Sequence, residues 1–249
     1  MRLFFHQLRG EQLVFWRSRE AAIFVFLFPI ILFLLLGAVY TGTIDGRPAQ
    51  NVLLAGMLAY GAATTAFAGL AILIVIRRES GVLKRVRATP LPPSTYLTAT
   101  LASMLLVFAL QAAALFVIGR FAYHAAWPGA AAGSLVLELL LGAAAFAALG
   151  VGITGVIRSA EGSAAVLNLI VLPMAFLSGS FGPTRHYPGV LRALAKVLPL
   201  TYLIDLVDAS YLRHRELWTR PLALGVLAAW GAGGLVLALR RFRWEPRES

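Results

Sequence analysis

Residues 77–93 read RRESGVLKRVRATPLPP, a strongly charged run between two long apolar segments. The segments on either side, 52–76 and 97–119, contain no Asp, Glu, Lys or Arg. The run cannot lie in hydrocarbon, so it separates two membrane-spanning segments. Its part from 79 to 87 can form a short helix, and the prolines that follow end it, because proline lacks an amide donor. We interpret 77–93 as a cytoplasmic loop, since such loops carry Lys and Arg.

Composition indicates a polytopic membrane protein. Apolar residues make up 59% of the chain, charged residues only 13%, and the mean hydropathy is +0.80. The net charge of +11 comes from basic residues at the borders of apolar segments, so it indicates membrane topology and membrane lipids rather than a nucleic-acid partner. The chain has no cysteine and its four histidines lie far apart, so we predict no metal site.

The apolar segments predict an all-α integral membrane protein with six transmembrane helices in a single domain, 1–249. At about 1.5 Å per residue, each segment can cross about 30 Å of hydrocarbon. The predicted spans are 21–40, 52–76, 97–119, 129–157, 163–181 and 221–239. Residues 1–20 mix aromatic and basic side chains, which is typical of a helix lying in the membrane interface.

Residues 182–220 are too polar for a further span, although 197–207 is largely apolar. With six spans, both basic ends of the chain lie on the side that carries most of the 22 Lys and Arg residues. The positive-inside rule then predicts that both termini are cytoplasmic. We expect 182–220 to form short re-entrant helices in the outer leaflet, broken at Pro199 and covered by protein.

Motifs for enzymatic chemistry are absent from the sequence. It has no G-x-x-x-x-G-K-[ST] phosphate loop, so the chain does not bind ATP in the usual way. A G-x-G-x-x-G pattern occurs at Gly150, Gly152 and Gly155, but it lies inside an apolar span, where small residues indicate close helix packing. We predict no catalytic residue and no cofactor bound by this chain.

Glu138 is the charged residue that lies deepest within a predicted span, and Arg120 lies near the outer end of the preceding span. Since the two are at similar depth, we predict an intramembrane ion pair. The alternative is a proton site at Glu138, because carriers driven by ions keep acids on their pathway.

Uncharged polar residues and aromatic residues recur at helical spacing on the second and fifth spans. They can line a passage for an amphipathic substrate or serve helix packing and hydrogen bonding, and the sequence leaves both interpretations open. These candidate pathway residues are Tyr60, Thr64, Phe67, Asn168, Leu172 and Phe176.

The whole pattern resembles the permease subunit of ABC transporters of the type-2 exporter family. The most specific stretches are RESGVLKRVRATPL at 78–91, similar to the family's loop between spans two and three, and LPLTYLID at 198–205, similar to its segment before the last span. The run Leu177-Ser-Gly179 with Phe181 and Pro183 also fits, although family members often carry a longer stretch there. The charged loop looks most like the drug-resistance and antibiotic-export branch, and exporters of lipid-linked glycans share the same plan.

The resemblance implies a prokaryotic inner-membrane exporter of a hydrophobic or amphipathic substrate such as a drug, lipid or lipid-linked glycan. It implies a second permease, commonly a copy, and two separate ATPase subunits that hold ATP and Mg. It also implies a coupling helix that docks into the ATPase, with Leu83 expected on the docking face. Its residues would be Glu79, Gly81, Val82, Leu83, Arg85, Val86 and Arg87.

The residues alone leave two other classes of protein possible. One is a non-transporting membrane assembly or immunity protein, and the other is an ion-coupled secondary carrier. A chain without a nucleotide site needs a partner for active transport, whereas the other two classes need no ATPase.

Overall fold

The computed structural model describes residues 2–246, a chain made almost entirely of helices. Residue 1 of the predicted interfacial segment and residues 247–249 of the predicted domain lie outside this range. The α-helices are α1 (Arg2–Arg17), α2 (Arg19–Ala21), α3 (Phe28–Val39), α4 (Ala49–Gly61), α5 (Leu70–Glu79), α6 (Val82–Arg87), α7 (Pro93–Tyr123), α8 (Ala132–Thr154), α9 (Ala160–Ser178), α10 (Gly189–Ala195), α11 (Pro199–Val207) and α12 (Pro221–Arg241).

Shorter elements join these helices. A two-stranded antiparallel hairpin pairs β1 (Thr43–Ile44) with β2 (Arg47–Pro48) between α3 and α4. Short 3-10 turns precede α8 and α12, at Gly129–Ala131 and Leu217–Thr219. Within the described residues, π-helical segments lie at Ala22–Leu27, Ala62–Gly69 and Asp208–Leu212.

Six helical stretches are long and apolar enough to cross a membrane, which confirms the predicted all-α membrane protein with six spans. We number them as the first to the sixth span, with α1 and α6 outside them. They are Ala22–Val39, Ala49–Glu79, Pro93–Tyr123, Gly129–Thr154, Ala160–Ser178 and Pro221–Arg241.

The ends of the helices do not coincide with the ends of the apolar segments, because single residues near each end determine where the helix begins. The second and third spans begin before the predicted 52 and 97, at Ala49 and Pro93, directly after Pro48 and Pro92, because proline is tolerated at the start of a helix. They also continue past the predicted 76 and 119, to Glu79 and Tyr123. The fifth starts early, at Ala160, because the hydroxyl of Ser159 accepts a hydrogen bond from the Gly162 amide at 3.1 Å.

The fourth span packs between the second and sixth through its glycines. A side chain at Gly150 would lie 2.7 Å from the Phe67 carbonyl oxygen, and one at Gly152 would lie 2.7 Å from that of Gly234. Only glycine allows these backbones to approach so closely. The interpretation of the glycine pattern as helix packing is therefore confirmed.

A buried amide joins two of the π-helical segments. The Gln111 side chain, fully buried on α7, donates to the carbonyl oxygens of Val25 at 2.7 Å and Phe26 at 3.0 Å. Its own oxygen accepts from the Thr65 hydroxyl at 3.3 Å. Irregular helix geometry leaves carbonyls without their usual partners, and this amide satisfies two of them.

Candidate coupling site

The turn between α5 and α6 has a fixed geometry that needs glycine. The Ser80 amide closes the end of α5 on the Ile76 carbonyl at 2.9 Å. Gly81 then takes a left-handed conformation with φ of 71°, which a residue without a side chain adopts at little cost. The Arg85 amide donates to the Gly81 carbonyl at 3.1 Å and begins α6. The turn therefore sets the direction of α6 relative to the second span.

The structure corrects the predicted orientation of α6. Leu83 is completely buried in the core of the subunit, so the expectation that it lies on a docking face is wrong. Val82 and Val86 are half-buried beside it. The exposed side of the helix carries three cations with no ion pair among residues 2–246. These are Lys84, Arg85 and Arg87.

Arg77, at the end of the second span, binds the N-terminal helix and the start of the third span. Its guanidinium donates to both carboxylate oxygens of the buried Glu11, at 2.9 and 2.7 Å. It also donates to the Tyr96 hydroxyl at 2.8 Å. Gln7 adds a hydrogen bond to the same carboxylate at 2.8 Å. A bidentate pair of this kind fixes direction as well as distance.

Arg78 points elsewhere and is almost completely buried, with 1% of its surface exposed. It donates to the carbonyl oxygens of Thr154 and Ile157, both at 2.7 Å, and to the Glu79 carboxylate at 2.7 Å. Carbonyls at a helix C-terminus lack partners within the helix, so the guanidinium satisfies the end of α8. The prediction that the fourth span continues to 157 is corrected here, because α8 ends at Thr154 beside this side chain.

The two neighbouring arginines thus attach the base of α6 to different parts of the bundle. Through Arg77 it is linked to α1 and α7, and through Arg78 it is linked to α8. Gly155, just after α8, in turn packs against Arg241 at the end of α12. A displacement of α6 would therefore be transmitted to several spans rather than absorbed in a loose loop.

The candidate pathway residues fall into two groups in the structure. Tyr60 and Phe67 lie in the subunit core, where the rings of Phe181 and Phe146 cover them at centroid distances of 5.1 and 6.4 Å. Within one subunit they do not line an open passage. The hydroxyl of Thr64 donates to carbonyls of its own helix, at Tyr60 and Gly61.

The fifth-span group is exposed instead. Asn168, Leu172 and Phe176 lie along one open face of α9, and Phe176 is 57% exposed. The Phe181 ring, 4.6 Å from that of Phe176, connects this face to Tyr60. Phe181 therefore contacts a member of each group.

The predicted ion pair between Arg120 and Glu138 is not formed. Glu138 is completely buried, and its carboxylate is 2.5 Å from the hydroxyl of Ser210, which donates to it. Its other oxygen has no hydrogen-bond partner among the described atoms. Arg120 is exposed and donates to the Ala125 carbonyl at 3.4 Å. The two side chains therefore bind different partners.

Sequence reasoning missed the partners that hold the site. Glu11 and Tyr96 bind Arg77, and Gln111 joins the π-helical segments, yet none of them was a candidate. The available signals were weak. Glu11 is an acid in a basic segment, and Gln111 is a lone amide in an apolar span.

Comparison with known proteins supports a single family. The family model described as ABC-2 type transporter matches residues 2–212. A protein of Bacillus subtilis (strain 168) named "Putative transport permease YvfS" is 25% identical over 192 residues, which are 77% of this chain and 75% of that protein. Nodulation protein J of Rhizobium leguminosarum bv. trifolii is 36% identical over 70 residues, 28% of this chain and 27% of that protein. Because the family model covers most of its length, this chain belongs to the ABC-2 type transporter permease family.

Proposed function

We propose that this chain is the membrane-spanning subunit of an ATP-driven exporter that moves a hydrophobic or amphipathic substrate outward by alternating access. The observation that carries the proposal is α6. Its basic side is exposed, while Leu83, Arg77 and Arg78 bind its base to the rest of the bundle. A partner that moved this helix would move the spans attached to it.

The proposed partners are two ATPase subunits, which bind ATP and Mg, and a second permease that is a copy of this chain. Membership of the ABC-2 family supports an ATPase partner, and the name of the Bacillus relative supports a transport role. The exposed face of α9 with Asn168, Leu172 and Phe176 is a candidate wall of a passage between two permeases.

We place the protein in a prokaryotic inner membrane with both termini in the cytoplasm. Two contacts support a common side for α1, α6 and the end of α12. Glu11 of α1 pairs with Arg77, just before α6, and Gly155, which follows the Thr154 carbonyl bound by Arg78, contacts Arg241 of α12. The same side carries most of the Lys and Arg residues, as the positive-inside rule requires.

The test is charge reversal on the exposed side of α6. In the double variant Arg85→Glu, Arg87→Glu, we expect the amount of ABC ATPase that co-purifies from native membranes to fall about tenfold or more, because mismatched charge weakens a charged interface strongly. The matched control is Arg158→Glu, an exposed cation in another loop at the same end. Unchanged ATPase recovery in the double variant would contradict the proposal.

One observation favours a second function. Glu138 is a buried carboxylate, and one of its oxygens has no hydrogen-bond partner among residues 2–246, which is the kind of group that ion-coupled carriers use. An ion-coupled carrier would transport without ATP when an ion gradient is imposed. Substrate movement in ATP-free proteoliposomes therefore separates this candidate from the proposed exporter.

A further inference from the structure

The second span is not one continuous α-helix. A π-helical segment, Ala62–Gly69, separates α4 from α5, and α5 leads directly into the turn before α6. A π-helical turn closes i→i+5 hydrogen bonds, so it holds more residues than an α-helical turn with its i→i+4 bonds. The direction in which α5 presents its side chains therefore depends on whether residues 62–69 have π-helical or α-helical winding.

A buried amide on the third span contacts this π-helical segment. The Gln111 side chain has no exposed surface, and its oxygen accepts a hydrogen bond from the Thr65 hydroxyl at 3.3 Å. Thr65 is also completely buried, so water does not compete for this contact. The neighbouring Gly61 leaves room for the amide, because a side chain at that position would lie 2.5 Å from the Gln111 oxygen. The amide therefore restrains the winding of the segment from a different helix.

The first span orients the Gln111 amide, and a proline explains how. In an α-helix the nitrogen of Pro29 would lie opposite the Val25 carbonyl, but proline has no hydrogen to donate. The Gln111 amide nitrogen donates to that carbonyl at 2.7 Å and to the Phe26 carbonyl at 3.0 Å. Both of its hydrogens are used, so the amide cannot rotate without the loss of a buried hydrogen bond. The first span thus fixes the oxygen that Thr65 contacts.

The contacts at the inner end of α5 depend on the same winding. Arg77 donates to the Glu11 carboxylate, and Arg78 donates to the Thr154 carbonyl. A change of winding that shifts the helix by one residue turns α5 by about 100° and moves it by about 1.5 Å along its axis. Both arginines would then point away from these partners. The winding of residues 62–69 and the arginine contacts beneath α6 therefore change together.

The π-helical segment also contains candidate pathway residues. Thr64 and Phe67 lie within it, and Tyr60 lies just before it. The ring of Phe67 is 6.4 Å from that of Phe146, measured between centroids. A change of winding turns Phe67 relative to Tyr60 and away from the ring that now covers it. Movement of α6 and exposure of these side chains are therefore linked through one segment.

We propose that the Gln111 side chain holds the second span in its π-helical winding, and that the α-helical winding is the alternative state that a partner selects when it moves α6. Packed interiors switch between discrete arrangements rather than deform continuously, and a one-residue change of winding is such a switch. This inference rests on the proposed function, because it assumes that a partner moves α6. It adds the element that carries this movement over about 18 Å, from Arg77 to Thr65 at 1.5 Å per residue.

The direct test measures the position of the end of α5 in purified permease without any ATPase. The chain has no cysteine, so spin labels are attached at Ser80→Cys, after α5, and Arg158→Cys, in the loop after α8, both exposed positions. Labelled protein is diluted with excess unlabelled permease, and the distance within one subunit is measured by pulsed electron spin resonance. In Thr65→Val, which removes the hydroxyl and keeps the shape, we expect a second population displaced by about 5 Å or more, because a turn of about 100° moves groups at the helix surface that far.

Further variants separate the role of this hydrogen bond from a general loss of stability. Gln111→Met removes the amide and keeps the length of the side chain, so it should give the same second population. Thr65→Ser keeps the hydroxyl and should give the single distance of the unmodified protein. Ser163→Ala removes another completely buried hydroxyl, which bonds the Ala160 carbonyl of its own helix, and should lower thermal stability without a second population. An unchanged single distance in both Thr65→Val and Gln111→Met would overturn the proposal.

A second arm adds the co-purified ATPase and ATP to the labelled, otherwise unmodified permease. We expect its label distance to move to the displaced value that Thr65→Val shows alone. An unchanged distance with the ATPase bound would overturn the assignment of the π-helical segment to coupling. If no ATPase co-purified, the proposed exporter would be contradicted, whereas the distances in purified permease would still test the role of Gln111. The two failures are therefore distinguishable.

Discussion

The two ends of the helical bundle use cations in opposite ways. At the α6 end, Arg78 is buried and Arg77 is half-buried, and both make hydrogen bonds that attach three helices to the second span. At the α10 end, neutral side chains fix the backbone, and Arg192 and Lys196 are exposed. A buried cation with several hydrogen bonds therefore marks a structural link here, whereas the exposed cations Arg192 and Lys196 form no ion pair among the described residues.

The difference follows from desolvation. A guanidinium taken out of water loses hydration worth several kcal/mol, and only well-aligned partners recover it. Arg78 has such partners, since each of its three nitrogens has an oxygen at 2.7 Å. The α10 cations have no comparable partners among residues 2–246, so they contribute little to folding.

Replacement of Arg78 is expected to cause the largest loss in the free energy of unfolding. Replacing it with Gln leaves the carbonyls of Thr154 and Ile157 and the Glu79 carboxylate without their donor in a buried position. Breaking a buried pair on one side costs about 3–5 kcal/mol. We expect a loss of this size in the free energy of unfolding, measured by SDS titration of the protein in mixed micelles.

Arg85→Gln is the matched control for this change, because Arg85 is an exposed cation on the same loop. It should alter the free energy of unfolding by about 0.5 kcal/mol or less. If Arg78→Gln and Arg85→Gln lowered the free energy of unfolding equally, the Arg78 contacts would not stabilise the α6 end of the bundle.

A smaller contribution to the free energy of unfolding is expected from the pair of Glu11 and Arg77. In a double-mutant cycle with Glu11→Gln and Arg77→Gln, we expect an interaction energy of about 1–3 kcal/mol, since both side chains are largely buried and the contact is bidentate. The measurement is the unfolding of the two single variants and the double variant.

The exposed pair of Asp45 and Arg185, at the opposite end, is the reference cycle. Its side chains are 44% and 65% exposed, so solvent screens the attraction and little coupling is expected. Additive losses in the Glu11–Arg77 cycle would remove the proposed link between α1 and the second span.

Much of the fold could be predicted from the sequence, because hydrocarbon thickness fixes the length of an apolar run. The six spans, the charged loop and the break at Pro199 all follow from such runs and from proline chemistry. Helix ends were less predictable. They depend on single contacts, such as that of Ser159 with the amide of Gly162.

The candidate site was less predictable, because an amphipathic pattern shows which residues share a face but not what covers that face. The apolar side of α6 with Leu83 is covered by the subunit's own core. The predicted ion pair of Arg120 and Glu138 failed for a related reason. Two residues predicted at the same depth meet only if each helix is rotated so that its side chain faces the other, and the sequence does not determine that rotation. Their side chains contact Ala125 and Ser210 instead.

The smallest change in stability is expected for Arg192, on α10, and Lys196, which directly follows it. Arg192→Gln, Lys196→Gln should change the thermal unfolding midpoint by about 2 °C or less, because exposed side chains away from caps and cores contribute little to stability. Trp230→Phe should cost about 1 kcal/mol, because it removes the donor to the Val197 carbonyl and keeps an aromatic ring. Both are measured by thermal unfolding in detergent. If the double variant were the less stable of the two, the α10 cations would be structural like Arg78, and the two ends of the bundle would use charge in the same way.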